Sequence, residues 1–237
     1  MPLNRIKALT FDVFGTVVDW RGSIVVEGAH MNRERGWNVD WAAFADAWRA
    51  LYQPSMSEVR DGKRPWVRLD DLHRESLETL IPQYGLEDLD TAEREQLNCV
   101  WHRLQPWPDA VAGLMRLKRK FVLATLSNGN IALLVNMAKH AKLPWDAILG
   151  AEVARHYKRQ PEAYLITAEL LGLQPDQCLM VAAHNDDLVT AAGLGFRTAF
   201  VARPTEYGPA QTTDLRAEHE FDIIADDFNA LATTLGC

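Results

Sequence analysis

A carboxylate at Asp12, a hydroxyl and an amide at Ser127 and Asn128, an ammonium at Lys158 and a second carboxylate at Asp187 are the side chains best suited to chemistry, each set after a short apolar run. A carboxylate beside a cation stays ionised and can act as a nucleophile, and a second acid can handle a proton. Taken singly, each has a plainer reading as a helix cap or a solvated charge, because Asp, Ser and Asn cap helices readily. The ordered set is far more specific than any member.

The segments that must position these residues read as strands. IKALTFD (6–12) is apolar and alternating, and it stops at an acidic residue followed by Phe-Gly-Thr. Similar runs recur as FVLATL (121–126), AILGAEV (147–153), CLMVAA (178–183), TAFVA (198–202) and DII (222–224), separated by helix-like stretches such as AYLITAELLG (163–172). Strand and helix in alternation predict an α/β fold with a doubly wound parallel sheet. Ligands of such sheets bind beyond the C-terminal strand ends, which brings all four positions to one edge.

Residues of roughly 20–100 differ. They are rich in Trp and Arg, contain three or four helix-like stretches and no strand, and read as a helical insertion after the first strand. WAAFADAWRALY (41–52) sets Trp41, Phe44, Ala45 and Trp48 on one helical face that must meet a core. The predicted division is an α/β core of 1–18 and 102–237 with a helical unit of 19–101.

With 237 residues, 48% of them hydrophobic and 24% charged, the chain can bury a sizeable core. Its net charge of -7 argues against nucleic acid or an anionic membrane surface as partner, since both call for a basic field. A small molecule is the better expectation. No run of eighteen apolar residues and no signal-like N-terminus is present, so the chain reads as cytoplasmic. Cys99, Cys178 and Cys237 are scattered and show no metal-type spacing.

FDVFGTVVD, LSNG, the Lys158 segment and AAHNDDL together resemble the four ordered motifs of the haloacid dehalogenase superfamily, over nearly the whole chain. Within it the chain is most similar to the type II L-2-haloacid dehalogenases, and the helical insertion then corresponds to their cap. The resemblance implies a homodimer, no cofactor and no metal, and a 2-haloacid as substrate. It implies Asp12 as the nucleophile that forms an ester with inversion at carbon, Lys158 as its cationic neighbour, and Asp187 as the group that orients water or simply pairs with Lys158. Ser127, Asn128 and Gly129 would hold the substrate carboxylate, or cap a helix. Thr16 would bond the substrate or Asp12, or give structural support, and Arg49 would reach the halogen or carboxylate from the cap. Phe14 and Trp66 would form an apolar wall, and Tyr164 would line the site or pack.

Two positions separate carbon–halogen from phosphate-ester cleavage. Phosphatases of the superfamily place a second aspartate two residues after the nucleophile to protonate the leaving alkoxide; here that residue is Phe14, which suits a halide because a halide leaves without a proton. They also supply an acidic pair for magnesium, where this chain has Ala183 and Asp187, with Asp186 as a possible substitute. The chain departs from the type II pattern as well. Ala182, Ala183 and His184 stand where a Ser-Ser-Asn run is usual, and Arg159 stands where a proline follows the lysine. His184 then either takes over the asparagine's holding role, contributes to the water step, or is structural. A phosphomonoesterase of the same fold and an idle binding module are the alternative functions.

Overall fold

The computed structural model describes residues 3–237. The chain runs β1 (Ala8–Phe11), β2 (Val18–Asp19), α1 (Trp20–Arg35), α2 (Trp41–Ala50), α3 (Tyr52–Arg60), α4 (Leu69–Leu80), α5 (Thr91–Asn98) and β3 (Gln105–Pro106). It continues as α6 (Ala110–Leu117), β4 (Val122–Ser127), α7 (Ile131–Ala141), β5 (Ala147–Gly150), α8 (Ala151–Ala154), α9 (Pro161–Leu170), β6 (Cys178–Ala182), α10 (Asn185–Gly193), β7 (Arg197–Val201), β8 (Ile223–Ala225) and α11 (Phe228–Thr234).

Six strands form one parallel sheet in the order β5-β4-β1-β6-β7-β8. β1 is central, and all four of its residues are buried, as expected of a strand covered on both faces. Period-two alternation sorts the strand residues into two cores. Leu9, Phe11, Leu123, Leu179, Val181, Ala199 and Val201 face one side, with residues of α6, α7, α11 and the insertion. Leu126, Met180, Ala182 and Phe200 face the other, with Tyr164 and Leu188.

The register sets the working edge. Phe11 is level with Thr125 on one side and Val181 on the other, so the residues just after them emerge side by side. This is also where the strand order reverses direction about β1, the topological switch at which open sheets bind ligands.

Between β2 and β3 the chain is helical, and three of its five α-helix starts carry a side-chain cap. Asp19 caps α1 by accepting from Gly22 N, Asp40 caps α2 by accepting from Ala42 N and Ala43 N, and Asp90 with Glu93 closes a capping box on α5. Trp41, Phe44, Ala45 and Trp48 are all buried, as the spacing in α2 predicts. Burying each large side chain stabilises the fold by about 1.5–3 kcal/mol. Gly28 of α1 lies directly against the Trp41 ring, where any side chain would collide.

Three features differ from the sequence reading. The run expected as a strand over 147–153 ends at Gly150, whose φ of 131° turns the chain so that Ala151–Ala154 forms a helical turn. β2 and β3 form a small antiparallel ribbon, too short to leave an alternating pattern. The helix expected over 163–172 starts earlier, at Pro161, a residue favoured in a first turn. Among the described residues no helix is long and apolar enough to cross a membrane.

Candidate active site

Asp12 leaves the end of β1 with its N–H bonded to Val181 O at 3.0 Å, which points the residue out of the sheet's C-terminal edge. Lys158, in the loop between α8 and α9, reaches it: Nζ donates to Asp12 Oδ1 at 2.7 Å and to Asp187 Oδ2 at 2.5 Å. All three side chains are buried. Asn128 fixes the lysine's backbone by accepting from Lys158 N at 2.8 Å, and Arg60 of α3 donates to Lys158 O at 2.9 Å. Thr16 Oγ1 donates to Asp12 Oδ2 at 2.7 Å and accepts from Ala183 N at 2.9 Å, tying the turn after β1 to the end of β6.

Charge follows from this geometry. Burial pushes the Asp12 carboxyl up, but Lys158 and His184 beside it outweigh burial and hold it well below the usual carboxylate range. Burial pushes Lys158 down, and its two carboxylate partners reverse that, so it stays protonated. Asp187 is pushed up by burial and by the negative charge of Asp12, against the pull of Lys158. Both of its oxygens are engaged, Oδ2 by Lys158 and Oδ1 by the Tyr164 hydroxyl at 2.5 Å.

A cavity of about 240 Å³ opens over this cluster, lined by Asp12, Phe14, Arg49, Tyr52, Asn128, Lys158, His184, Asp187 and Tyr207 among others. Arg49 enters it from the end of α2. Its guanidinium carbon lies 4.1 Å from the Tyr52 ring centroid and 5.3 Å from that of Trp20, while Nη1 is buried without a hydrogen-bond partner among the described residues. A buried cation with an unpaired N–H is a receptor for an anion. Phe14 forms an apolar wall, edge-on to Trp101 and His73.

Most of the residues singled out in the sequence therefore meet in one place. Four do not line the cavity: Thr16 and Tyr164 are fully buried and bond to Asp12 and Asp187 from behind it, and Ser127 and Trp66 lie apart. Ser127 is fully buried beneath it, its hydroxyl accepting from Gly129 N at 3.1 Å. Trp66 packs at a tilt against Tyr157, 4.7 Å between ring centroids, away from the cavity lining. Conversely, Glu206 was not legible. It follows β7 in a segment without a motif, yet it is fully buried and lies 2.9 Å from His184 Nε2. Tyr52, three residues after Arg49, carried a signal only in that spacing.

The donor set does not suit magnesium. Ala183 and Phe14 offer no side-chain oxygen, and Asp187 is held by Lys158 and Tyr164. Among the described residues no group of three or more His, Cys, Asp or Glu is arranged to hold a metal ion.

Comparison with known proteins agrees with this architecture. A family model described as haloacid dehalogenase-like hydrolase matches residues 6–195. An (S)-2-haloacid dehalogenase of Xanthobacter autotrophicus is 30% identical over 203 residues, covering 84% of this chain and 76% of that protein. Among solved structures, the L-2-haloacid dehalogenase PA0810 is 48% identical with a TM-score of 0.95, covering 98% of this chain and 99% of its own. The defluorinating L-2-haloacid dehalogenase Rha0230 is 46% identical with a TM-score of 0.95, covering 98% and 96%.

Proposed function

Because this chain belongs to the haloacid dehalogenase-like hydrolases, we propose that it cleaves the carbon–halogen bond of short 2-haloalkanoic acids, such as a haloacetate or an (S)-2-halopropionate, giving the 2-hydroxy acid and halide. The observation that carries this reading is the unpaired Arg49 N–H in the same cavity as the ionised Asp12, with Phe14 where a phosphatase needs an acid.

Asp12 attacks the carbon bearing the halogen from the face opposite the leaving group, forming an ester and inverting that carbon. Oδ1 is the better placed oxygen, since Oδ2 faces both Thr16 and His184 whereas Oδ1 meets Lys158 alone. Lys158 keeps the carboxylate ionised, and Thr16 fixes its plane. Arg49 receives the developing halide charge, for which a preorganised buried cation is effective. Asn128 holds the Lys158 loop in place, and its neighbourhood at the start of the α7 turn suits the substrate carboxylate. Phe14 and the Tyr52 ring keep water from the nucleophile. Water then attacks Asp12 Cγ and releases the hydroxy acid. A cavity of about 240 Å³ favours acids of two or three carbons over longer chains. The helical unit of 19–101 acts as a cap that supplies Arg49 and Tyr52 to the core of 1–18 and 102–237. A homodimer is the assembly that the family likeness implies, and a cytoplasmic location is the reading of the sequence itself.

The test is to measure halide and phosphate release side by side, with EDTA present, on both 2-chloropropionate enantiomers, chloroacetate and a generic phosphomonoester. Halide release from the S enantiomer that survives EDTA and is lost in Asp12→Asn is the expected result. Phosphate release restored by magnesium would replace this reading with the phosphomonoesterase one.

A further inference from the structure

His184, on the cavity wall, and Glu206, buried behind it, form a second acid–base pair that none of these steps uses. His184 Nε2 lies 2.9 Å from Glu206 Oε2, and Nδ1 of the same ring lies 3.2 Å from Asp12 Oδ2. The pair is rigidly held. Glu206 is fully buried, its Oε1 accepts from Trp20 Nε1 at 3.0 Å, and Gly15 packs directly on the carboxylate where any side chain would collide. Asp187, the other acid near the nucleophile, spends both oxygens on Lys158 and Tyr164.

We propose that the Glu206–His184 pair drives hydrolysis of the Asp12 ester, with His184 Nδ1 taking the proton of the attacking water. This rests on the covalent reading above. In the free protein His184 stands between two carboxylates; burial opposes its charge, but Glu206 and Asp12 hold it protonated. Esterification turns Asp12 into a neutral group, and His184 gives a proton to solvent as the halide departs, so the first half-reaction releases H⁺ and halide together. The imidazole is then left with one carboxylate, on Nε2, and a free lone pair on Nδ1 facing the ester. A buried carboxylate that orients an imidazole and steadies its cation is the arrangement that serves acyl hydrolysis in catalytic triads.

Water oxygen bonds to Cγ while its proton passes to Nδ1, and the imidazolium is stabilised by Glu206. The tetrahedral centre collapses with cleavage of the bond between Cγ and the ester oxygen. The imidazolium returns its proton to that oxygen, which leaves as the hydroxyl of the product. The new Asp12 carboxyl then protonates Nδ1, restoring the starting ion pair. His184 is the catalytic residue of this step, and Glu206 is a positioning residue acting through it.

The experiment mixes the full chain with excess (S)-2-chloropropionate, quenches at set times, and reads free halide together with the covalent adduct on the Asp12 peptide by mass spectrometry. In His184→Gln the first equivalent of halide appears, the adduct accumulates and its breakdown slows by about 10²–10⁴-fold, the usual worth of a general base. Glu206→Gln shows the same accumulation to a lesser degree. In His184→Gly, added imidazole speeds adduct breakdown, which a merely structural histidine would not permit. Halide from the wild type with no adduct build-up in either glutamine variant would overturn the proposal, as would trapping of the ester by Asp187→Asn alone. Absence of halide from the wild type would overturn the dehalogenase reading and this one with it.

Discussion

Lys158 Nζ stands 2.7 Å from Asp12 Oδ1 although 146 residues of chain separate them, and the same ammonium also bridges to Asp187. One buried cation thus serves two buried carboxylates. Removing it leaves Asp12 with His184 alone beside it and Asp187 with no cation, so Asp187, already pushed up, is the carboxyl that takes up a proton.

Lys158→Met is therefore expected to lower halide release at neutral pH by about 10²-fold or more, because Asp12 loses the ammonium that holds and orients its attacking oxygen. The same change should cost about 3–5 kcal/mol of stability, the typical penalty for stripping one partner from a buried ion pair. Chemical denaturation and a halide assay on the same sample check both. Turnover close to that of the wild type would show that Asp12 needs no ammonium neighbour.

Arg49→Lys keeps the positive charge but loses the planar group that lies over Tyr52 and Trp20 and presents its free N–H to the cavity. We expect kcat/KM for (S)-2-chloropropionate to fall by about 10²–10³-fold, comparable to removal of one preorganised donor from an anion site. A steady-state comparison across chloride, bromide and iodide leaving groups is the check. The role assigned to Arg49 fails if all three respond less than about twofold.

His73 supplies a pH effect on stability. It is buried in an aromatic box, stacked 4.2 Å from Trp101, and neither ring nitrogen has a partner among the described residues. Burial, assisted by the positive charge of Arg49 and opposed by Asp70, pushes it down to about 3 from an ordinary 6.5. The folded state thus refuses a proton that the unfolded state accepts between those values. Stability is full above about 6.5 and is lost as pH falls toward about 3, by at most about 1.4 kcal/mol per pH unit from this residue. His73→Leu should flatten the stability-versus-pH curve over that window. An unchanged slope would assign the acid sensitivity to other groups.

Much of this site was legible because its residues sit next to signals. Asp12, Asn128 and Asp187 each follow a strand that announces itself by apolar alternation, and a parallel sheet then gathers them. Arg49 was recognisable only because its Trp-Arg context resembles that of the family's cap arginine. Glu206 carried no such mark. Its importance comes from long-range packing, in which Trp20 of the insertion and Gly15 of the β1 turn enclose its carboxylate. No local pattern in the segment after β7 encodes that. Trp66 was misplaced for the complementary reason: an aromatic in a helical region can face either the cavity or a neighbour, and here Tyr157 takes it. The strand expected over 147–153 was cut short because apolar residues continue through the helical turn of Ala151–Ala154, and hydrophobicity alone cannot tell the two apart.

Gly15 offers a remote test of the Glu206 position. Its φ of 86° disfavours any other residue, and an added methyl would meet the Glu206 carboxylate. Gly15→Ala is expected to cost roughly 1–2 kcal/mol from the backbone alone. It should also slow ester breakdown more than halide release, because Glu206 must move away from His184. Equal slowing of both half-reactions would place the damage at Asp12 instead.

The ribbon of β2 and β3 has a broader consequence. Val18 and Asp19 pair antiparallel with Pro106 and Gln105, so the chain departs for the helical unit and returns from it at adjacent points. Trp107 N bonds to Val17 O at 3.0 Å and reinforces the same junction. Everything between could be exchanged for another segment with matching ends while the six-stranded sheet keeps its hydrogen bonds. Such a junction lets evolution, or an engineer, trade the helical unit that carries Arg49 independently of the sheet that carries Asp12.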